Sequence, residues 1–123
     1  MIRNYKDLEV WKRSVAFATE TYRLTAGFPA TERYGLCSQI RRAAISVAAN
    51  IAEGWGRGST REYVQFLTVA RGSLMEMETH LIIGRNLTYL TQDELTTVSR
   101  EIEEIGRMLN GLIGALKSRN EAA

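Results

Sequence analysis

The sequence predicts an all-α fold, an antiparallel up-down-up-down four-helix bundle, on three observations. Apolar residues recur at alternating intervals of three and four along four long segments. Breaks at Phe28-Pro29, at Gly54-Trp55-Gly56-Arg57-Gly58 and around Tyr89-Leu90-Thr91 separate those segments. Two segments open on a capping-box pattern, and connections this short oblige neighbouring helices to run antiparallel. With 123 residues, 45% hydrophobic and 24% charged, the chain has the composition of one globular domain able to bury its own core. The bundle is expected over 1–118, with a disordered C-terminal tail over 119–123.

In the first segment, Leu8, Trp11, Val15, Ala18 and Tyr22 form the expected core stripe. The second has Leu36, Ile40, Ala43, Val47 and Ile51, among alanines that let another helix approach closely. Ser59-Thr60-Arg61-Glu62 marks the start of the third, whose stripe is Tyr63, Leu67, Ala70, Leu74, Met77 and Leu81. Thr91-Gln92-Asp93-Glu94 opens the fourth: the Thr91 hydroxyl can accept near Glu94 while Glu94 reaches back, and Leu90 can staple onto Leu95. Its stripe is Val98, Ile102, Ile105, Leu109, Leu112 and Leu116.

Further apolar residues lie off these stripes: Val10, Phe17, Leu24 and Phe28 on the first segment, and Phe66, Val69, Ile83 and Leu87 on the third. One stripe per helix suffices for a monomeric bundle, so the excess points to a subunit interface, with Val10, Phe17, Leu24, Phe66 and Val69 as its candidates. A merely broad core stripe is the alternative.

Several function classes find no support. The N-terminus fits neither a signal peptide nor a mitochondrial presequence, so a cytoplasmic protein is expected; no run is long enough to cross a membrane. Cys37 is the only cysteine and cannot form a disulfide within the chain. One His and one Cys on different segments supply no metal-ligand set, and Gly54, Gly56 and Gly58 lack the strand and Gly-Lys-Ser/Thr of a phosphate loop, so no cofactor is expected. Ser73, Glu76 and His80 share a helix face, but a nucleophile in mid-helix has no free backbone donors for an oxyanion. No catalytic residue is assigned.

Two polar patterns remain. Arg42, Ser46, Asn50 and Glu53 form a polar stripe on an otherwise apolar segment. Read structurally, Asn50 and Glu53 bond the Gly-rich turn and neighbouring helices, and Arg42 meets a carboxylate such as Glu76; read functionally, the stripe contacts a partner. Charge is also uneven: residues 1–71 hold 11 basic and 6 acidic side chains (+5), residues 72–123 hold 5 and 8 (−3), for a net +2. Arg33, Arg41, Arg42, Arg57, Arg61 and Arg71 concentrate the basic side, with Trp55 and Tyr63 nearby to stack on bases. No helix-turn-helix, zinc finger or RNA-binding motif accompanies them.

Five blocks in order carry a family resemblance: Tyr5-Lys6-Asp7-Leu8-Glu9-Val10-Trp11-Lys12, the stretch Phe28 to Leu36, Gln39 to Val47, Asn50-Ile51-Ala52-Glu53-Gly54, and Ala70 to Glu76. Together they resemble the 23S rRNA intervening-sequence protein family, also called the four-helix bundle proteins. The resemblance implies a bacterial cytoplasmic four-helix bundle that assembles as a homopentamer, related to accessory proteins of diversity-generating retroelements that bind reverse transcriptase and nucleic acid. Val47-Ala48 stands where the family often has Ile-Pro, which eases the second helix. The resemblance adds no enzyme chemistry, and Ser46, Asn50, Glu53, Ser73 and Glu76 are read as a folding or assembly cluster first. The expectation is therefore a non-enzymatic homo-oligomeric module for an RNA, DNA or ribonucleoprotein partner. The alternative is a structural or protein-interaction module without nucleic-acid affinity.

Overall fold

The structure, a computed structural model, describes residues 2–122, with side chains through residue 119. Four helices follow in order: α1 (Glu9–Thr25), α2 (Leu36–Gly56), α3 (Thr60–Asn86) and α4 (Gln92–Ala122). Short 3-10 turns at Tyr5–Asp7 and Ala30–Glu32 precede α1 and α2, and no strand occurs among the described residues. Each helix packs on the next in sequence and α4 returns to α1, as an up-down-up-down bundle requires. The expected tail over 119–123 reaches residues outside those described.

The helix starts match their sequence signals. Thr91 and Glu94 form the full reciprocal box, with Glu94 N–H donating to Thr91 Oγ1 at 3.1 Å and Thr91 N–H to Glu94 Oε1 at 2.8 Å. Leu90 and Leu95 are both buried beside it. At α3 only half the box forms: Ser59 Oγ accepts from Glu62 N–H at 3.2 Å. A third box, Asn4 with Asp7, caps the first 3-10 turn, and the Arg3 and Asn4 amides hold the Asp7 carboxyl below its usual range.

The breaks are sharper than the sequence suggests. Gly54 and Gly56 belong to α2, and the turn into α3 is only Arg57 to Ser59, with Gly58 at φ +84°. Gly54 is a close-approach residue rather than a break: a Cβ there would stand 2.8 Å from Phe66 Cβ and 3.2 Å from the Tyr63 carbonyl oxygen. That approach lets α2 and α3 form the most extensive seam in the bundle, whereas α1 and α4 share the thinnest. Where α1 and α4 part, a groove of about 650 Å³ opens over Phe17, Leu24 and Val98, bridged by Arg13 bonded to Glu101.

One continuous core joins all four helices, with Ile40, Ile51, Leu67, Met77, Leu81, Ile105 and Leu109 completely enclosed. The predicted stripes of α2, α3 and α4 enter it; only Leu36, Val98 and Leu112 stay half-buried, and Ile113 joins beside Leu112. For α1 the prediction holds only in part, with Leu8, just ahead of the helix, buried as expected. Its buried face is Val10, Ser14, Phe17, Thr21 and Thr25, while Val15 and Tyr22 are exposed and Trp11 and Ala18 half-buried. The three hydroxyls tolerate burial because each donates to a backbone carbonyl one turn back: Ser14 to Val10 at 2.7 Å, Thr21 to Phe17 at 2.8 Å and Thr25 to Thr21 at 2.8 Å.

Candidate functional site

The shifted buried face of α1 redraws the candidate interface. Val10 and Phe17, expected at a subunit contact, are core residues of the single chain, and Phe28 is buried against Tyr89 and Gly84. Leu24 and Phe66 are half-buried, and of the five candidates Val69 alone is exposed. One uncovered apolar surface is a groove of about 640 Å³ between α1 and α2. Trp11, Val15 and Tyr22 form one wall, Ile45 the other, and small Ala48, Ala49 and Ala52 the floor. No charged residue lines it.

Ser46, Asn50 and Ser73 close on one another, and Glu53 reaches the Gly-rich turn as expected. Ser46 Oγ on α2 lies 2.9 Å from Ser73 Oγ on α3, and Asn50 Nδ2 donates to the Ser46 carbonyl at 2.8 Å and to Ser46 Oγ at 2.9 Å. This small network pins the middle of the α2–α3 seam. Glu53 pairs with Arg57 one turn on, at 3.0 Å. Glu76 stands 3.5 Å from His80 rather than meeting Arg42, because Arg42 lies on the outer face of α2. Ser73 is thus engaged across the seam while Glu76 and His80 face each other, and the three form no proton relay.

The six arginines do not form one patch within the chain. Arg33 and Arg41 lie towards the α1–α2 connection and Arg57 and Arg61 at the α2–α3 turn, so Arg41 and Arg57 are about 24 Å apart along the bundle. Three are occupied. Arg41 donates to Thr25 Oγ1 at 2.9 Å and to the Tyr22 carbonyl at 3.2 Å, with its guanidinium 4.5 Å from the Tyr22 ring centre. Arg57 bonds Glu53 and covers the Phe66 ring, and Arg71 donates to Asn110 Oδ1 at 2.8 Å. Arg33, Arg42 and Arg61 are exposed, with no acidic partner among the described residues. Trp55 and Tyr63, read as stacking residues, pack edge to face on each other, and Tyr63 is buried with its hydroxyl unpartnered.

No group of three His, Cys, Asp or Glu side chains among the described residues is placed to hold a metal ion. No helix is long and apolar enough to cross a membrane. Burial pushes the Cys37 thiol up, as it does the Tyr63 phenol.

Comparison with protein families decides the kinship. The family model described as 23S rRNA-intervening sequence protein matches residues 6–111. The chain belongs to that family. A search of curated proteins found no match. Among solved structures, a protein of unknown function from the S23 ribosomal protein family of Bacteroides thetaiotaomicron VPI-5482 superposes with a TM-score of 0.76. It is 23% identical, and the match covers 85% of this chain and 97% of that one. At that identity the likeness speaks for the fold, and the four-helix architecture is shared over nearly the whole of the other chain.

Proposed function

We propose that this member of the 23S rRNA-intervening sequence protein family is a non-enzymatic, cytoplasmic, homo-oligomeric binding module, a pentamer as the family resemblance implies, for RNA, DNA or a ribonucleoprotein. The observation that carries self-association is the width of the apolar surface of α1: beside the buried Val10 and Phe17, Val15 and Tyr22 are left exposed and Trp11 half-buried along the groove. A helix gains by turning its apolar surface away from water. An isolated chain leaves that gain unrealised; a second copy over the groove recovers it. The nucleic-acid part rests on Arg33, Arg42 and Arg61, guanidinium groups free of acidic partners and suited to phosphate. One chain offers a sparse set, but symmetric repetition multiplies it into a broader field.

Two measurements test the reading. Sedimentation equilibrium is expected to give a multiple of the 13.8 kDa chain mass; a single-chain mass overturns it. Titration with labelled RNA and DNA at several salt concentrations is expected to show affinity falling as salt rises, with a slope of about 0.7 to 0.9 per phosphate contacted. No binding at low salt, or affinity indifferent to salt, favours the second reading, a protein-interaction module. That reading draws on Arg41, Arg57 and Arg71 having intramolecular partners.

A further inference from the structure

Apart from Ile2 near the N-terminus and Tyr34 in the α1–α2 connection, the large exposed apolar side chains among the described residues fall into two groups. Val15, Tyr22 and Ile45 line the α1–α2 groove. Val69, Met75, Ile82, Ile83 and Leu87 follow the outer surface of α3, where Met75 is 62% exposed. None lies on α4. The first surface is concave with a floor of alanines; the second is the convex face of a single helix.

We propose that the α1–α2 groove of one copy receives the outer surface of α3 from the next, joining subunits head to tail. This rests on the self-association reading and specifies which surfaces meet. The lengths are compatible: Trp11 to Tyr22 spans about 17 Å of groove, and Val69 to Asn86 about 26 Å of helix, at roughly 1.5 Å per residue, so the α3 face can fill the groove along its whole length. An alanine floor admits a helix ridge closely, in the manner of a helix laid into an apolar groove. With no charged residue in the lining, a nucleic-acid backbone seated there would leave its phosphates without partners, so the groove suits an apolar helix.

The exposed area is also suitable. The chain exposes 7410 Å², against about 6600 Å² for a monomeric protein of this mass. The excess is on the order of 800 Å², the scale of one partner's share of a standard interface, and does not by itself say where that area lies. Elongation of a helical rod accounts for some of it, but elongation does not make a surface apolar. Symmetry favours pairing unlike surfaces. The groove and the α3 face do not overlap, so a two-fold contact of groove on groove would leave α3 uncovered. A head-to-tail contact covers both on every copy, and a ring leaves neither free.

The test uses Ala49→Glu in the groove and Ile82→Glu on α3, both at exposed helical positions. Sedimentation equilibrium is expected to show each variant as a single chain, with helicity by circular dichroism unchanged. Mixed in equal amounts, they are expected to form a two-chain species and nothing larger, because the intact α3 of one enters the intact groove of the other. If the wild-type chain is itself monomeric, both the self-association reading and this pairing fall. If the wild type assembles but Ile82→Glu or Ala49→Glu keeps its full mass, or if the mixture stays at one chain, the pairing alone falls. Ala49→Gln and Ile82→Gln carry the same test should a buried carboxylate disturb folding.

Discussion

α4 encloses its apolar stripe, whereas α1 buries only part of its apolar surface and leaves Val15 and Tyr22 exposed at one edge. On α4, Ile102, Ile105, Leu109, Ile113 and Leu116 are buried, and no large apolar side chain is exposed among the described residues. On α1 the core receives Ser14, Thr21 and Thr25 beside Val10 and Phe17. Both are stable because burial asks only that apolar area leave water and polar groups find partners. α4 meets the first condition by composition, α1 the second by local back-bonding. The difference separates a helix whose large apolar side chains are covered within the chain from one that leaves two of them exposed.

The largest effect that can break this comparison is expected at Leu109→Ala. Leu109 is completely enclosed, and its truncation is expected to cost about 2–5 kcal/mol in denaturant unfolding. A value near that for an exposed leucine would mean that α4 is not the inward-facing reference. Gly54→Ala follows, at a net loss of about 1–2 kcal/mol: the new Cβ forces α2 from α3, partly offset by better helix propensity. Thermal unfolding measures it, and an unchanged midpoint would mean that the α2–α3 seam has slack.

Thr91→Ala removes the α4 cap and is expected to cost about 1 kcal/mol, read from the same unfolding curves. Next come two α1 substitutions that sharpen the contrast. In the Ala49→Glu background, Val15→Ala is expected to change unfolding by about 0.5 kcal/mol or less, because its apolar surface has no partner within the chain. Thr21→Val is expected to be similarly small, at about 0.5 kcal/mol, since the Phe17 carbonyl keeps its helical hydrogen bond. A loss above about 2 kcal/mol at Thr21 would mean that the hydroxyl, and not only its shape, holds α1 in place.

The smallest effect concerns the contact between the linkers that lead into α2 and α4. Tyr89 donates its hydroxyl to Glu32 Oε2 at 2.9 Å, and that bond raises the phenol above its ordinary value of 10.0. The folded state favours the protonated phenol, so this stabilisation is complete below the unfolded value and is lost as pH rises through the folded one. Unfolding curves of the wild type and Tyr89→Phe are expected to differ most below that window and to converge as pH rises through it.

Much of the fold was legible in the sequence because three of its helices bury one apolar stripe at helical spacing. Tyr63 through Leu81 on α3 needed nothing else. α1 misled because periodicity records every apolar face without saying which partner covers it, and because Thr and Ser read as solvent-facing when local carbonyls can satisfy them. Gly54 misled for a related reason: in sequence a glycine that stops a helix and one that admits a neighbour are the same letter. At the candidate site, pairing Ser46 with Ser73 required the register of α2 against α3. The arginines looked like a cluster because helix length was not set against their spacing; a 21-residue α2 carries them to opposite ends. The α3 residues Val69, Ile83 and Leu87 were signalled correctly as lying off the core stripe.

Cys37 gives the molecule a built-in reporter. It sits at the start of α2 beneath the end of α1, 5% exposed, its sulfur 3.6 Å from the Thr25 carbonyl oxygen. A thiol so enclosed, with its ionisation suppressed, reacts only when the α1–α2 seam parts. Its rate of alkylation under native conditions therefore reads how often that seam breathes, from a chain with no other cysteine to quench or label. Any molecule that settles across α1 and α2 will slow that chemistry, so occupancy of the groove can be followed without adding a single foreign atom beforehand.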